Sequence, residues 1–542
     1  MTDAAGGCAP PCATAIFCLP RFVPLTFPGE GIFVGDVSAI SPHHDEHSGP
    51  SSQSLRPIDQ VLRCGGKASR RDALMISAAG LASTAEEKVE PQLDRDHLLG
   101  TLSALARKHQ VPGAQLAVYH GGEMVAVEVG ELQHGTGLPV TRDAAFPIGS
   151  ITKTFTATVA MILVADGDLE LDAPLGEHVP ELSDLGDELT LRQLLSHTGG
   201  FAAGPSDSEA RSASIRRYVL DHCHRQNLVL PPGAGFSYSS TGYVLVGYLI
   251  ETITGMTWWD AMESLLLRPF GIAPAFVNAP GRGLLGRPLA TGHAVNTAVG
   301  RVRPVTQSLP PAEAPAGGLA LSAVDLVTLG LTHLDVGMPP VLPTTYAEQM
   351  RQAVPGAEPC GSADGWGLGL AVFGSGRTAW VGHFGALDGT DCNIRIDPGS
   401  GSVVAFTSNA NPGGMWGELV CELRTAGLSV GDWSHSEALK RPMAPPPGCV
   451  GSYLNGTAEL LIESTGTGAV SFTANGGVAQ ELIIFEDLSF SFREQPSVRG
   501  RFLRDPVSRN IEWLQANLYA ARRQSAASEI RRVLMEEQSA FV

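Results

Sequence analysis

A serine and a lysine three residues apart, Ser150 and Lys153, sit in the apolar run FPIGSITKTFTATVAMILVADGDLELDAPL, residues 146–175. An ammonium in apolar surroundings must find a partner or lose its proton. On a helix, residues i and i+3 share a face, which would bring the two side chains together. A serine hydroxyl is a poor nucleophile until a base removes its proton, and a desolvated, neutral Lys153 is such a base. Ser150 near a helix start would also offer its backbone N–H to a developing oxyanion. The plain alternative is that Ser150 caps a helix, because Ser-x-x-Lys recurs by chance in long chains. The alternation in ITKTFTAT even fits a strand by propensity.

Two distant stretches add to the pair. PGAGFSYSSTGYVLVGYLIETITG, residues 232–255, places Tyr238 in a Gly/Ser-rich loop before a helix. WVGHFGALDGT, residues 380–390, places His383, Phe384 and Gly385 on a strand. With these on the page the chain resembles the serine β-lactamase-related enzymes: class C β-lactamases, DD-carboxypeptidases, D-aminopeptidases, and certain esterases and acyltransferases. The resemblance spans about residues 94–431 and rests on five segments in order. PIGSITKTFTA resembles the nucleophile motif, LTLRQLLSHTGGF the LLSHTSG segment, and YSSTGY the second motif. PAGGLALSAVDL resembles a structural segment, and HFG the variable third motif.

The resemblance implies an acyl-enzyme route with Ser150 as nucleophile, Lys153 as its base and Tyr238 as a phenolate or proton relay. It implies an oxyanion hole from the N–H groups of Ser150 and Ala386, beside Gly385, with His383 orienting substrate. A free phenol titrates near 10, so Tyr238 would need a cation such as Lys153 to act as a phenolate. One position departs from the pattern. Ser240 stands where the family usually has Asn, and a hydroxyl is shorter with one donor instead of two. No lysine occupies the third motif to hold a substrate carboxylate. Both departures point away from penicillin-like amides, toward an ester, thioester or small amide as acyl donor. A β-lactamase or DD-carboxypeptidase is the alternative, and a silent ligand-binding protein of the same fold the second. The acyl-serine route calls for no metal and no organic cofactor.

The elements that must position these residues are legible to different degrees. DRDHLLGTLSALARKHQ reads as a helix with Leu98, Leu102 and Leu105 on one face. GAQLAVYH and EMVAVEVGE, separated by Gly121-Gly122, read as a β-hairpin. A mostly helical section follows to about residue 329, and strands return in TAWVGHFGALDG, DCNIRIDP and SVVAFTSNA. GGMWGELVCELRTAG reads as a closing helix ended by Gly427. Strands at both ends with helices between imply an α+β arrangement. The resemblance makes this a β-lactamase/transpeptidase-like antiparallel sheet flanked by helices, with a helical subdomain. The expected division is an irregular extension over 1–90, a catalytic domain over 91–435, a Pro-rich linker over 436–448, and a small all-β domain over 449–542 with a terminal helix.

Composition narrows the partners. The chain has 542 residues, with 37 Lys plus Arg against 55 Asp plus Glu, a net charge of −18. That field repels nucleic acid and anionic membranes, and no apolar run of 18 residues offers a membrane span. The expected partner is a small acyl substrate; the oligomeric state is left open. Nine cysteines without CxxC spacing read as thiols rather than a disulfide framework. HHDEH, residues 43–47, lies in a Pro/Ser/Gly-rich stretch and reads as a solvated loop, and His222 and His224 as solvated rather than metal-binding. Ser69-Arg70-Arg71 before apolar residues 73–82 resembles a twin-arginine export segment over 67–85. It points to export if it is the true start, and to the cytoplasm if residues 1–60 are genuine.

GLSVG, residues 427–431, fits the lipase-type GxSxG pattern but follows a helix instead of forming a strand-to-helix elbow. Ser429→Ala is therefore expected to keep full turnover of any ester substrate and Ser150→Ala to lose it. A fall of tenfold or more in the Ser429 variant would reassign the nucleophile.

Overall fold

The computed structural model describes residues 94–524 apart from 183, 206, 211–213, 278–286, 335, 337–340, 434–439, 467, 496 and 497. The N-terminal extension, with HHDEH and the twin-arginine-like segment, and the expected terminal helix lie outside the described residues.

Helix α1, Arg95–Lys108, starts where the Asp94 carboxylate accepts the Asp96 N–H at 3.0 Å, and it buries Leu98, Leu102, Leu105 and Ala106. Strands β1, Gly113–His120, and β2, Glu123–Gly130, form the expected hairpin. Its turn needs positive φ at both central residues, which Gly121 (58°) and Gly122 (88°) supply.

The helical middle carries α2, Thr152–Asp166, α3, Ser240–Thr254, the short α4, Ala314–Gly317, and α5, Ala323–Leu331. Strand-like propensity in α2 is overridden by burial from Thr152 to Leu163. Its threonine hydroxyls find acceptors without leaving the helix: Thr154 donates to the Gly369 carbonyl, Thr156 to Pro315, and Thr158 to Thr154, each at 2.8 Å. β-Branching costs a helix only a few tenths of a kcal/mol per residue, and packing outweighs it.

Strands β3, Gly365–Trp366, β4, Ala371–Phe373, β5, Trp380–Gly385, β6, Asp391–Asp397, and β7, Ser402–Ser408, complete a seven-stranded sheet in the order β2-β1-β7-β6-β5-β4-β3. The chain's first hairpin thus pairs with its late strands, β1 running antiparallel to β7. Of β5, only Trp380–Gly382 pair with β4, so His383–Gly385 reach beyond it at the end of the strand. Helix α6, Met415–Thr425, packs against α1, and Ser429 follows it, exposed between the buried Leu428 and Val430.

The C-terminal strands close into an eight-stranded barrel: β8, Gly451–Asn455, β9, Ala458–Ser464, β10, Val470–Ala474, β11, Gln480–Ile484, β12, Ser489–Phe492, β13, Arg499–Arg504, β14, Ile511–Ala516, and β15, Tyr519–Arg523. Side chains including Tyr453, Phe472, Phe490, Phe502 and Leu514 fill its interior, as barrels of this strand number require. Closure removes the open edges that would invite pairing with other chains.

α3 approaches α4 so closely that a Cβ on Gly247 would collide with the Pro315 ring. Gly247→Ala should cost about 1–3 kcal/mol through overpacking, seen as a lower urea midpoint at unchanged slope. An unchanged midpoint would show that the two helices are free to separate.

Candidate active site

Ser150 lies in a 3-10 turn, Gly149–Ile151, that runs directly into α2 and places Lys153 in its first turn. Lys153 is only 1% exposed. Its Nζ donates to the Ala316 carbonyl at 2.9 Å and lies 3.3 Å from Ser150 Oγ and 3.4 Å from Ser240 Oγ. It also stands 5.0 Å from the centre of the Tyr238 ring and 5.8 Å from that of Tyr243. A cation there would be favoured by the ring faces. Residues from three distant segments therefore converge on one amine.

Tyr238 sits just before α3, whose N-cap Ser239 accepts the Gly242 N–H at 3.2 Å. The phenol is 5% exposed in an aromatic cage. His197 packs against it at 4.2 Å between ring centres, with Trp366 edge-on at 5.6 Å and Tyr519 of the barrel edge-on at 6.0 Å.

The two imidazoles carry opposite tautomers, fixed by their partners. Ser239 N–H donates to His197 Nδ1 at 3.1 Å, so its proton is on Nε2. His383 Nδ1 faces the Phe384 carbonyl at 2.6 Å and must donate to it, leaving Nε2 bare. Neither Nε2 has a hydrogen-bond partner among the described residues. Burial, then the charge of Lys153, pushes His383 down to about 3 and His197 well below the ordinary histidine range. Both are neutral near pH 7.

The end of β5 packs backbone to backbone against the Ser150 turn. A Cβ on Gly385 would collide with the Ile148 carbonyl and come within 3.0 Å of the Ser150 nitrogen. Gly149, at φ 51°, is blocked in the same way by the Ala386 carbonyl, with the Ala386 nitrogen 2.8 Å away. The Ser150 and Ala386 N–H groups thus belong to one tight seam of main chain.

The structure brings together Ser150, Lys153, Tyr238, Ser240, Gly385 and Ala386. His383 reaches the cluster with its ring fully buried, against Trp366 and Tyr238. His197 packs on the same phenol. His224 Nε2 lies 2.6 Å from the Leu220 carbonyl and His222 stacks edge-on to Tyr218, both outside this cluster. Sequence reading missed the Ala316 carbonyl, because a backbone acceptor leaves no side-chain signal, and Tyr519, which belongs to the other domain.

Comparison with known proteins supplies a context. A family model described as Beta-lactamase matches residues 64–418. Penicillin-binding protein 4 of Amycolatopsis lactamdurans is 33% identical over 376 residues, 66% of this chain and 97% of its own length. Esterase EstB of Burkholderia gladioli is 29% identical over 403 residues, 65% of this chain and 97% of the esterase. The crystal structure of SurE is 41% identical with a TM-score of 0.73, covering 79% of this chain and 99% of SurE; a second SurE structure contains D-Leu.

His197 and His383 are held neutral in the fold but take a proton near 6.5 once unfolded, so acid favours the unfolded chain. Their contribution is complete above pH 6.5 and is lost as pH falls, for His383 toward about 3. His383→Gln should flatten the fall of unfolding free energy between pH 6 and 4.5 by up to about 1.4 kcal/mol per pH unit. Urea titrations at several pH values measure this, and an unchanged slope would refute a neutral His383.

Proposed function

The chain belongs to the β-lactamase family, and from that membership we propose an acyl-transfer enzyme that works through an ester on Ser150. The observation that carries this reading is the buried Lys153 amine, within 3.4 Å of the Ser150 and Ser240 hydroxyls.

In the first half-reaction Ser150 Oγ attacks the acyl carbon while Lys153 accepts its proton. The carbonyl oxygen gains charge against the Ser150 and Ala386 N–H groups. The bond to the leaving group then breaks, and the proton passes to that group through Lys153 with Tyr238 beside it. In the second half-reaction water, an alcohol or an amine gives up its proton by the same relay and attacks the ester, freeing Ser150. Water makes the enzyme an esterase or amidase; an amine or alcohol makes it a transferase.

The substrate class proposed is an activated acyl group, ester or thioester, whose acyl part is a D-configured aminoacyl or peptidyl unit. Support comes from the D-Leu in the SurE structure and from an esterase among the relatives. The neutral His383 fits the same reading, since it provides no fixed cation for the carboxylate of a penicillin.

A fluorophosphonate should add one adduct per chain, on Ser150, and Ser150→Ala should abolish it together with turnover. Lys153→Ala should slow acylation by about 10²–10⁴-fold, the usual worth of a positioned base. D-leucyl thioesters should outrun their L-enantiomers at least tenfold in kcat/KM. Labelling elsewhere than Ser150 would defeat the acyl-serine reading, and nitrocefin turned over faster than any D-aminoacyl ester would make the enzyme a β-lactamase.

A further inference from the structure

One turn of the barrel reaches the backbone of Tyr238. Strands β14 and β15 are joined by Asn517 and Leu518, and Asn517 holds φ at 51°, a left-handed conformation that Asn tolerates and β-branched residues resist. The turn projects into the catalytic domain. Leu518 is 1% exposed and belongs to the same apolar cluster as Phe236, Tyr238, Trp366 and Phe384.

Its polar groups bind the two loops that flank the phenol. The Leu518 carbonyl accepts the N–H of Tyr238 itself at 2.9 Å. The Asn517 carbonyl accepts the Cys360 N–H at 3.0 Å, and the Asn517 side-chain oxygen accepts from Ser362 Oγ at 2.8 Å. The close fit is enforced at Gly361, where a Cβ would lie 2.9 Å from that oxygen. Tyr519 adds its ring edge to the Tyr238 cage. A second tie runs from Asn455 on β8, whose side-chain oxygen accepts the Ala203 N–H at 2.8 Å. The Ala203 carbonyl in turn accepts the N–H of Ser240 at 2.8 Å.

We propose that the Asn517–Leu518 turn of the barrel is a positioning element of the catalytic site, holding Tyr238 in register with Lys153. The inference rests on the acyl-serine reading above and extends it. Tyr238 precedes the helix that anchors Ser240, so its own backbone is loop, and a loop N–H buried without an acceptor is unstable. The barrel provides that acceptor. A shift of even 1 Å in the phenol would disturb proton transfer far more than ground-state binding. The barrel residues named here act through Tyr238 and are positioning residues.

The test follows Ser150 phosphonylation by a fluorophosphonate in the full-length chain, separating the limiting rate from the half-saturating concentration across pH. Asn517→Val, which disfavours the left-handed turn, should lower the limiting rate at least tenfold with half-saturation within threefold. It should also displace the pH midpoint of the rate. Asn517→Gly, which accepts the same φ, should restore the rate to within threefold of wild type. In a Tyr238→Phe background Asn517→Val should cost no more than a further twofold, because the group it positions is gone. Should Asn517→Val reduce the folded fraction, Tyr519→Leu offers a second probe, expected to slow the rate three- to tenfold at unchanged half-saturation. The proposal is overturned if the folded Asn517→Val enzyme reacts within twofold of wild type. It is also overturned if its loss multiplies in full with that of Tyr238→Phe. If Tyr238→Phe alone leaves the rate untouched, the phenol's role in the parent reading has failed and the inference goes with it.

Discussion

The arrangement depends on where a buried amine can find partners. Removing an amine from water without them costs several kcal/mol. Lys153 is met by the Ala316 carbonyl, by the Ser150 and Ser240 hydroxyls, and by the ring faces of Tyr238 and Tyr243. The carbonyl is a permanent acceptor, whereas the hydroxyls can both give and take protons. The amine is thus held by one fixed partner and faces two exchangeable ones. This is why the packing of α3 on α4 and the hydroxyl–carbonyl ties of α2 bear on chemistry as well as stability: they set where those partners stand.

A second constraint is the absence of side chains where two backbones meet. Gly149 and Gly385 are the two residues between the Ser150 turn and the end of β5, and neither has room for a Cβ. The seam is therefore closer than any pair of ordinary residues allows. Main chain fixes the positions on both sides, so under the proposed acyl-serine route the two N–H groups would meet a developing oxyanion without rearrangement.

Much of this was legible in the residues. α1 and the β1–β2 hairpin follow from periodicity and from Gly121-Gly122. Ser150, Lys153 and Tyr238 carry their chemistry in their side-chain types, and the order of the motifs brings them together. α2 was ambiguous because its threonines favour a strand until burial supplies carbonyl acceptors that only the folded chain contains. The tail segment NIEWLQANLYAAR shows the opposite limit. Its alternation announces strands, yet nothing local says that its turn will enter another domain's core. The burial of His383 was not legible for a related reason: a strand-end imidazole is accessible or buried according to what packs on it, here Trp366 and Tyr238.

The buried imidazoles bear on the charge of the site. A lysine at the third motif would put a second permanent cation near Lys153, and each would make the other harder to protonate. Under the proposed acyl-serine route His383, neutral through burial, leaves Lys153 as the group whose protonation would change as Ser150 reacts. On the same reading a neutral His383 gives up a partner for a carboxylate, so affinity would come from the acyl part rather than from an anionic tail. Tyr519 stands edge-on to Tyr238 and the Leu518 carbonyl accepts its N–H, so the barrel builds part of the phenol's surroundings, and the proposed proton relay would be shaped at the junction of the two folded parts.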